Sequence, residues 1–173
     1  MPVLRLVDVT PDTLTLPRKP CVYALLWVRS GKPVPIPRLL AVDPKGILYI
    51  ASTENLKRRV ASNLLKHLQA ARQGARPPDR MHAFVIALQY TGMIDKVKEE
   101  ELQLAYKQYP DILTAARVER AVLAAYMKRY GEPPPMNLYL SKKHLLTQPL
   151  QPDPELLEAL GLPRATQEPA SRP

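Results

Sequence analysis

The stretch of sequence that decides the fold reads Val22-Tyr23-Ala24-Leu25-Leu26-Trp27-Val28. It is apolar, rich in β-branched and aromatic residues, and bounded by Pro20 and by Ser30-Gly31, which predicts a short buried strand. Two further strands are predicted over 38–42 and 47–51, and they meet at the turn Asp43-Pro44-Lys45-Gly46. The expected result is a three-stranded antiparallel sheet.

The spacing of the 20 prolines outlines the remaining elements, because proline interrupts helices and central strands. A capping hydroxyl and an acid at Ser52-Thr53-Glu54 predict a helix start, and Gly131 predicts the end of a later one. The predicted elements are a helix over 53–73, a strand over 82–90, a charged helix over 95–108, a long helix from the cap Asp111 to Tyr130, and a short helix over 154–160.

These elements predict an α/β fold of the α+β class, in which helices flank a small antiparallel sheet in the order βββαβαα plus a short C-terminal helix. A domain over 1–140 and an extension over 141–173, with the short helix and a flexible tail from 163, are expected. No apolar run approaches the roughly 18 to 20 residues that cross a bilayer. We therefore expect no membrane partner and a cytoplasmic or nucleoid-associated protein.

The net charge of +9 lies in the first half of the chain. Residues 1–80 contain 14 Lys and Arg against 5 Asp and Glu, whereas residues 81–173 contain 11 of each. A one-sided positive field attracts polyanions: most often nucleic acid, but also acidic lipid or an acidic protein. On the first predicted helix the nucleic-acid-binding candidates are Lys57, Arg58, Lys66 and Arg72.

The numbers of cysteines and histidines limit the kinds of metal site that the chain could contain. One cysteine, Cys21, excludes a disulfide within the chain, and three histidines give no Cys/His spacing typical of structural zinc. A bound metal would therefore need oxygen ligands.

Glu119 lies in the middle of the apolar side of the last long helix, where a carboxylate is costly unless a cation or hydrogen bonds meet it. It is either one half of a structural ion pair or a metal ligand or catalytic acid at a cleft. On the first predicted helix, Arg59, Asn63 and His67 form a polar stripe at spacings of four. Tyr23 and Tyr49 are each interior to an apolar strand, so their hydroxyls are expected on one face of the sheet.

Together these residues resemble the GIY-YIG nuclease family over about residues 20–140. The name-giving tripeptides correspond to Cys21-Val22-Tyr23 and Tyr49-Ile50-Ala51, and the second leads into Ser52-Thr53-Glu54-Asn55-Leu56-Lys57-Arg58-Arg59. Glu119 on a late helix, Tyr130-Gly131 and Asn137 match the distal part of the family pattern.

The resemblance implies a DNA endonuclease that depends on Mg²⁺ (or Mn²⁺). It implies Tyr23 as general base, Tyr49 as a positioning hydrogen bonder, Arg59 on the phosphate, Glu119 as metal ligand and Asn137 as the downstream asparagine. Substrates of this kind are double-stranded or branched DNA. The chain would either cut structured or nonspecific DNA, act as a homodimer, or take its target choice from a specificity subunit.

Three departures from the family pattern are present. Cys21 and Ala51 replace both motif glycines, the stretch between the tyrosines is lengthened by a proline-rich loop, and Asn63 stands where some members have a histidine. His67, one turn later, is the candidate substitute for that histidine. The lost glycines imply either tighter packing around a working site or a catalytically inactive module that binds nucleic acid or a partner.

Overall fold

The central strand of the sheet contains the apolar stretch from Val22 to Val28. In the computed structural model of the chain, the described residues are 1–9, 16–74, 81–138 and 153–163. The strands are β1 (Val3–Arg5), β2 (Cys21–Arg29), β3 (Lys32–Pro33), β4 (Ile36–Pro37), β5 (Val42–Asp43), β6 (Ile47–Thr53) and β7 (Leu102–Gln108). β2 pairs with both β6 and β7, β1 pairs with β7, and β3 pairs with the end of β2, all antiparallel.

Helices cover both faces of this sheet. A π-helical segment (Arg58–Leu64) runs directly into α1 (Leu65–Arg72), and it is followed by α2 (Ala83–Tyr90), α3 (Ile112–Tyr130) and α4 (Pro154–Ala159). Short 3₁₀ turns lie at Leu6–Asp8 and Glu99–Glu101. The predicted fold class, a small antiparallel sheet flanked by helices, is confirmed.

Successive side chains of β2 enter two different cores, because strand side chains alternate between the faces of a sheet. Cys21, Tyr23 and Leu25 pack in a cluster with residues of α1 and α2. Val22 and Ala24 pack in a second cluster with residues of α3 and α4. The helices α1 and α2 therefore cover the face that carries Tyr23, and α3 and α4 cover the opposite face.

The ends of α3 lie where its sequence predicts. The Asp111 carboxylate accepts a hydrogen bond from the backbone N–H of Thr114 at 2.8 Å, as expected of an N-cap. Gly131 ends the helix in the left-handed conformation, with φ of 81°. The short C-terminal helix is also confirmed, and its buried Leu156 and Leu157 join the core beneath α3.

Three predicted elements are wrong. Residues 82–90 were expected to form a strand, but residues 83–90 form α2. Their buried residues recur at helical spacing, and the apolar but exposed Ile86 hides that period in the sequence. The positions that carry the period are Phe84, Val85, Ala87 and Leu88.

Residues 95–108 were expected to form a helix, but they contain a 3₁₀ turn and the strand β7. Glu, Leu, Gln, Ala and Lys favour helices in isolation, and pairing with β1 on one side and β2 on the other overrides that preference. The predicted order βββαβαα is wrong for the same reason: two helices follow β6, and β7 comes next. β1 had no counterpart among the predicted elements.

The predicted strand over 38–42 is also wrong. Only the short β4 and β5 pair there, and the turn after β5 is held by the fully buried Asp43. Its carboxylate accepts from the backbone N–H groups of Lys45 and Ile47, each at 2.9 Å, and from the Tyr126 hydroxyl at 3.1 Å. These bonds tie the start of β6 to α3.

None of the described helices combines the length and apolarity needed to cross a bilayer. The tail predicted from residue 163 onward lies outside the described residues, apart from Pro163 itself.

Candidate active site

Tyr23 of β2 and Tyr49 of β6 lie side by side on the face covered by α1 and α2. Their ring centroids are 6.2 Å apart, which confirms that both side chains project to one face. Tyr23 is 1% exposed. Burial raises the pKa of Tyr23 well above its ordinary value and raises the pKa of Tyr49 to about 12.

Two small residues, Cys21 and Ala51, lie beside Tyr23 at the positions where the GIY-YIG pattern has glycine. Ala51 is directly opposite Tyr23 in the β2–β6 pairing, and Cys21 is two residues before it on the same face. Both side chains belong to the same buried cluster as Tyr23. Their side chains therefore pack around the tyrosine, where glycine would leave more space.

Arg59 supplies positive charge to the two phenols. It lies in the π-helical segment, a rare geometry that is frequent at functional sites. Its charge lowers the pKa of both Tyr23 and Tyr49, opposing the larger effect of burial. Arg59 is half-buried, and within the described part of the chain its guanidinium forms no hydrogen bond or ion pair.

Glu119 points inward from α3, as its position among apolar residues predicts, and is 8% exposed. Its Oε2 accepts a hydrogen bond from the backbone N–H of Ser52 at 2.9 Å and another from the Ser52 hydroxyl. Its negative charge acts on both phenols and raises their pKa. The carboxylate therefore links α3 to the end of β6, close to the tyrosine pair.

Asn137 binds the backbone of β6 as a neighbouring strand would. Its Oδ1 accepts from the N–H of Ile50 at 2.9 Å, and its Nδ2 donates to the carbonyl of the same residue at 2.8 Å. The backbone N–H of Met136 donates to the carbonyl of Leu48 at 2.9 Å. Among the described residues β6 pairs only with β2, so Glu119, Asn137 and Met136 satisfy its other edge.

His67 is connected to the tyrosine pair by way of a second histidine, His82. Its Nδ1 accepts a hydrogen bond from the backbone N–H of His82 at 2.9 Å, and burial lowers its pKa. The His82 ring in turn lies 3.0 Å from the Tyr23 hydroxyl, measured from Nε2 to Oη. His67 therefore contacts the tyrosine pair indirectly, through the residue that precedes α2.

The predicted nucleic-acid-binding residues separate into two groups. Lys57 is half-buried, Arg58 and Lys66 are exposed, and none of the three forms an ion pair within the described residues. Arg72 instead donates to Glu99 at 3.0 Å and to the carbonyl of Val97 at 2.7 Å. Its charge is thus partly compensated, and it holds the end of α1 against the turn that precedes β7.

Within residues 1–9, 16–74, 81–138 and 153–163, no cluster of three or more His, Cys, Asp and Glu side chains is placed to hold a metal. Glu119 is the carboxylate beside the tyrosine pair. Mg²⁺ keeps several waters and is often held by one or two carboxylates together with substrate phosphates. The described part of the site therefore offers one carboxylate, and a cation held there would need waters and substrate phosphate as its other ligands.

Two residues of the site were not predicted, His82 and Ser52. His82 was placed in a strand, and its proximity to Tyr23 arises from the packing of α2 on β2, which no local pattern reveals. Ser52 was interpreted as a helix cap. The Asn55 side chain instead accepts from the backbone N–H of Arg58 at 2.9 Å, near the start of the helical region, which leaves Ser52 to bind Glu119.

Comparisons of the chain with family models, curated proteins and solved structures found no match. The resemblance to GIY-YIG nucleases therefore stays a prediction that rests on the residues and their arrangement.

Replacing Asn137 with alanine is expected to destabilise the protein by about 2 kcal/mol, because it leaves the N–H and carbonyl of a buried strand residue without their partners. Urea unfolding measures the change. The adjacent Leu138, which is 41% exposed, provides the control. Leu138→Ala is expected to change stability by less than about 0.5 kcal/mol, and equal effects of the two variants would contradict the role given to Asn137.

Acid is expected to destabilise the fold through His82. Burial, together with Arg59 and His67, lowers the pKa of His82 to about 3, whereas an unfolded histidine titrates near about 6.5. As the pH falls, the unfolded state therefore binds this proton before the folded state does. Protonation of His82 leaves the free energy of unfolding unchanged above about pH 6.5 and lowers it progressively between about pH 6.5 and pH 3.

Urea unfolding at pH 7 and at pH 5 tests this effect. The wild-type protein is expected to lose about 2 kcal/mol more than His82→Gln between these two pH values. The comparison isolates His82, because His67 is present in both proteins. Identical pH dependence in the two proteins would show that His82 is not held neutral by the fold.

Proposed function

We propose that the chain is a metal-dependent DNA endonuclease that hydrolyses phosphodiester bonds. The observation that carries this proposal is the convergence of two phenols, one guanidinium and one carboxylate from four separate elements. Tyr23 lies on β2, Tyr49 on β6, Arg59 on the π-helical segment and Glu119 on α3. The charges of Arg59 and Glu119 both act on the two phenols, which supports a common site.

Each residue has a role that its chemistry suits. Hydrolysis of a phosphodiester requires a deprotonated water in line with the leaving oxygen, and positive charge on the nonbridging oxygens. Tyr23 is the general base, Tyr49 orients the attacking water or the phosphate, and Arg59 stabilises the charge that develops on phosphate. Glu119 holds Mg²⁺ or Mn²⁺, which when bound supplies positive charge to the phosphate and the leaving oxygen.

Asn137 acts indirectly in this proposal. It bonds to the backbone of Ile50, the residue after Tyr49, and so fixes the strand that carries the second phenol. Lys57, Arg58 and Lys66 provide positive charge for the DNA backbone along the helix that begins near Arg59. A homodimer or a separate subunit supplies target choice, and the cytoplasm or nucleoid is the proposed location.

The second candidate is a non-cutting module that binds nucleic acid or a partner protein. One observation favours it: the Tyr23 side chain is almost fully buried and is bonded to His82, so substrate cannot reach the hydroxyl in this conformation. A nuclease requires a conformation in which the Tyr23 hydroxyl meets water and phosphate, whereas a binding module does not.

Nicking of supercoiled plasmid with Mg²⁺, beside a reaction with excess EDTA, separates the two candidates. Arg59→Ala and Glu119→Gln are each expected to lower kcat by about a hundredfold or more, as removal of one transition-state contact does. Glutamine keeps an acceptor for the Ser52 N–H, so Glu119→Gln removes the charge and preserves the link to β6. Arg117→Ala is the control. Arg117 lies on the exposed side of α3, so this variant also loses one positive charge but outside the site, and it is expected to cut normally.

The pH profile of nicking tests the role of Tyr23. Because burial places its pKa well above 10, the rate is expected to rise with pH across the range from about pH 6 to about pH 10. A flat profile would contradict a tyrosine base. Plasmid binding by the wild-type protein without Mg²⁺-dependent nicking would reject the nuclease and support the non-cutting module.

A further inference from the structure

Tyr23 and His82 form a buried pair that the sequence did not predict. Tyr23 Oη lies 3.0 Å from His82 Nε2, and the two side chains are 1% and 2% exposed. The Tyr49 ring packs edge-on against the same imidazole, with centroids 5.9 Å apart. A buried hydrogen bond has a defined direction, and here the direction decides where the phenolic proton points.

The other ring nitrogen fixes that direction. His82 precedes α2 as its N-cap, and its Nδ1 accepts a hydrogen bond from the backbone N–H of Phe84 at 3.2 Å. An accepting nitrogen carries no proton, so a neutral His82 carries its proton on Nε2. The opposite tautomer would place two N–H donors against each other at the start of α2.

The ring is held in place from several sides. The backbone N–H of His82 donates to His67 on α1, and its carbonyl accepts from Val85 at 2.9 Å and from Ile86 at 3.1 Å in the first turn of α2. The charged and titratable groups that act on this pair are Arg59, His67, Tyr49 and Glu119. Burial, Arg59 and His67 lower the pKa of His82 to about 3, so the imidazole is neutral near pH 7.

We infer that His82 is a positioning residue whose Nε2–H donates a hydrogen bond to the Tyr23 oxygen. The phenol cannot donate to an N–H group, so its own proton is directed away from His82. When that proton is lost, the same N–H stabilises the phenolate, because hydrogen bonds to charged oxygen are the stronger kind. His82 neither takes nor gives a proton in this arrangement.

For catalysis, the inference rests on the proposed function, in which Tyr23 is the base. There the Tyr23 phenolate takes one proton from the attacking water, and the resulting hydroxide bonds to phosphorus as the bond to the leaving oxygen breaks. The leaving oxygen keeps the electron pair of that bond and takes a proton from solvent. His82 keeps its Nε2 proton throughout and holds the acceptor oxygen in position. The histidine thus acts through Tyr23 and does not contact the substrate.

Two substitutions separate this role from simple capping of α2. Asparagine at position 82 keeps a short acceptor for the Phe84 N–H, as a preferred N-cap residue, but does not reach Tyr23. Glutamine reaches the place of Nε2 and donates from its amide, but lacks the short cap. His82→Gln is expected to retain kcat within about threefold, and His82→Asn to lose about ten- to a hundredfold with KM unchanged.

A capping role alone would give the opposite order, with His82→Asn active and His82→Gln impaired, and that result would overturn the inference. Circular dichroism of both variants shows whether α2 and the sheet remain folded. The rescue by glutamine is the decisive comparison, because a loss in both variants would reject the donor role.

Nitrogen NMR of ¹⁵N-histidine-labelled protein tests the hydrogen bond without catalysis. His82 is expected to show a protonated Nε2 and an unprotonated Nδ1 near pH 7, and Tyr23→Phe is expected to shift the Nε2 signal. A protonated Nδ1, or no response to Tyr23→Phe, would overturn the inference. A wild-type protein that cuts no DNA would instead reject the proposed function, and the nitrogen signals would still decide the His82–Tyr23 bond.

Discussion

The open edge of β6 is the constraint on which the candidate site depends. β6 pairs with β2 along one side, and the backbone groups on its other side need partners because buried N–H and carbonyl groups are costly to leave unpaired. Glu119 meets Ser52, the Asn137 side chain meets Ile50, and the backbone of Met136 meets Leu48. Through these contacts, α3 and the segment after it are fixed relative to the strand that carries Tyr49.

This constraint gives Glu119 a structural role, in addition to the metal-binding role that we propose for it. Its inward position is already explained by the bonds to Ser52, so a buried carboxylate at this point does not by itself indicate a metal site. The proposal of a nuclease therefore depends on Tyr23, Tyr49 and Arg59 lying near this carboxylate. A residue that both holds the edge of β6 and meets a cation must keep its bonds to Ser52 while a metal and phosphate approach.

The sequence predicted the elements whose signals are local. Each of these features can be recognised from a few neighbouring residues. They are the apolar runs of β2 and β6, the Asp111 cap, the end of α3 at Gly131 and the inward position of Glu119. Segments 82–90 and 95–108 were assigned wrongly, because β7 consists of residues that favour helices and becomes a strand only through pairing with distant segments. The same limit hid His82, whose contact with Tyr23 spans 59 positions of the chain.

Paramagnetic NMR of Tyr23→Phe, which keeps the site but lacks the proposed base, tests most directly whether Glu119 serves both the strand edge and a metal. Mn²⁺ is added to the ¹⁵N-labelled variant with and without duplex DNA. Broadening of the Ser52 amide in the presence of DNA is expected, because Ser52 is bonded to the carboxylate that we propose to hold the cation. An unaffected Ser52 amide in the presence of both DNA and Mn²⁺ would contradict a metal site at Glu119.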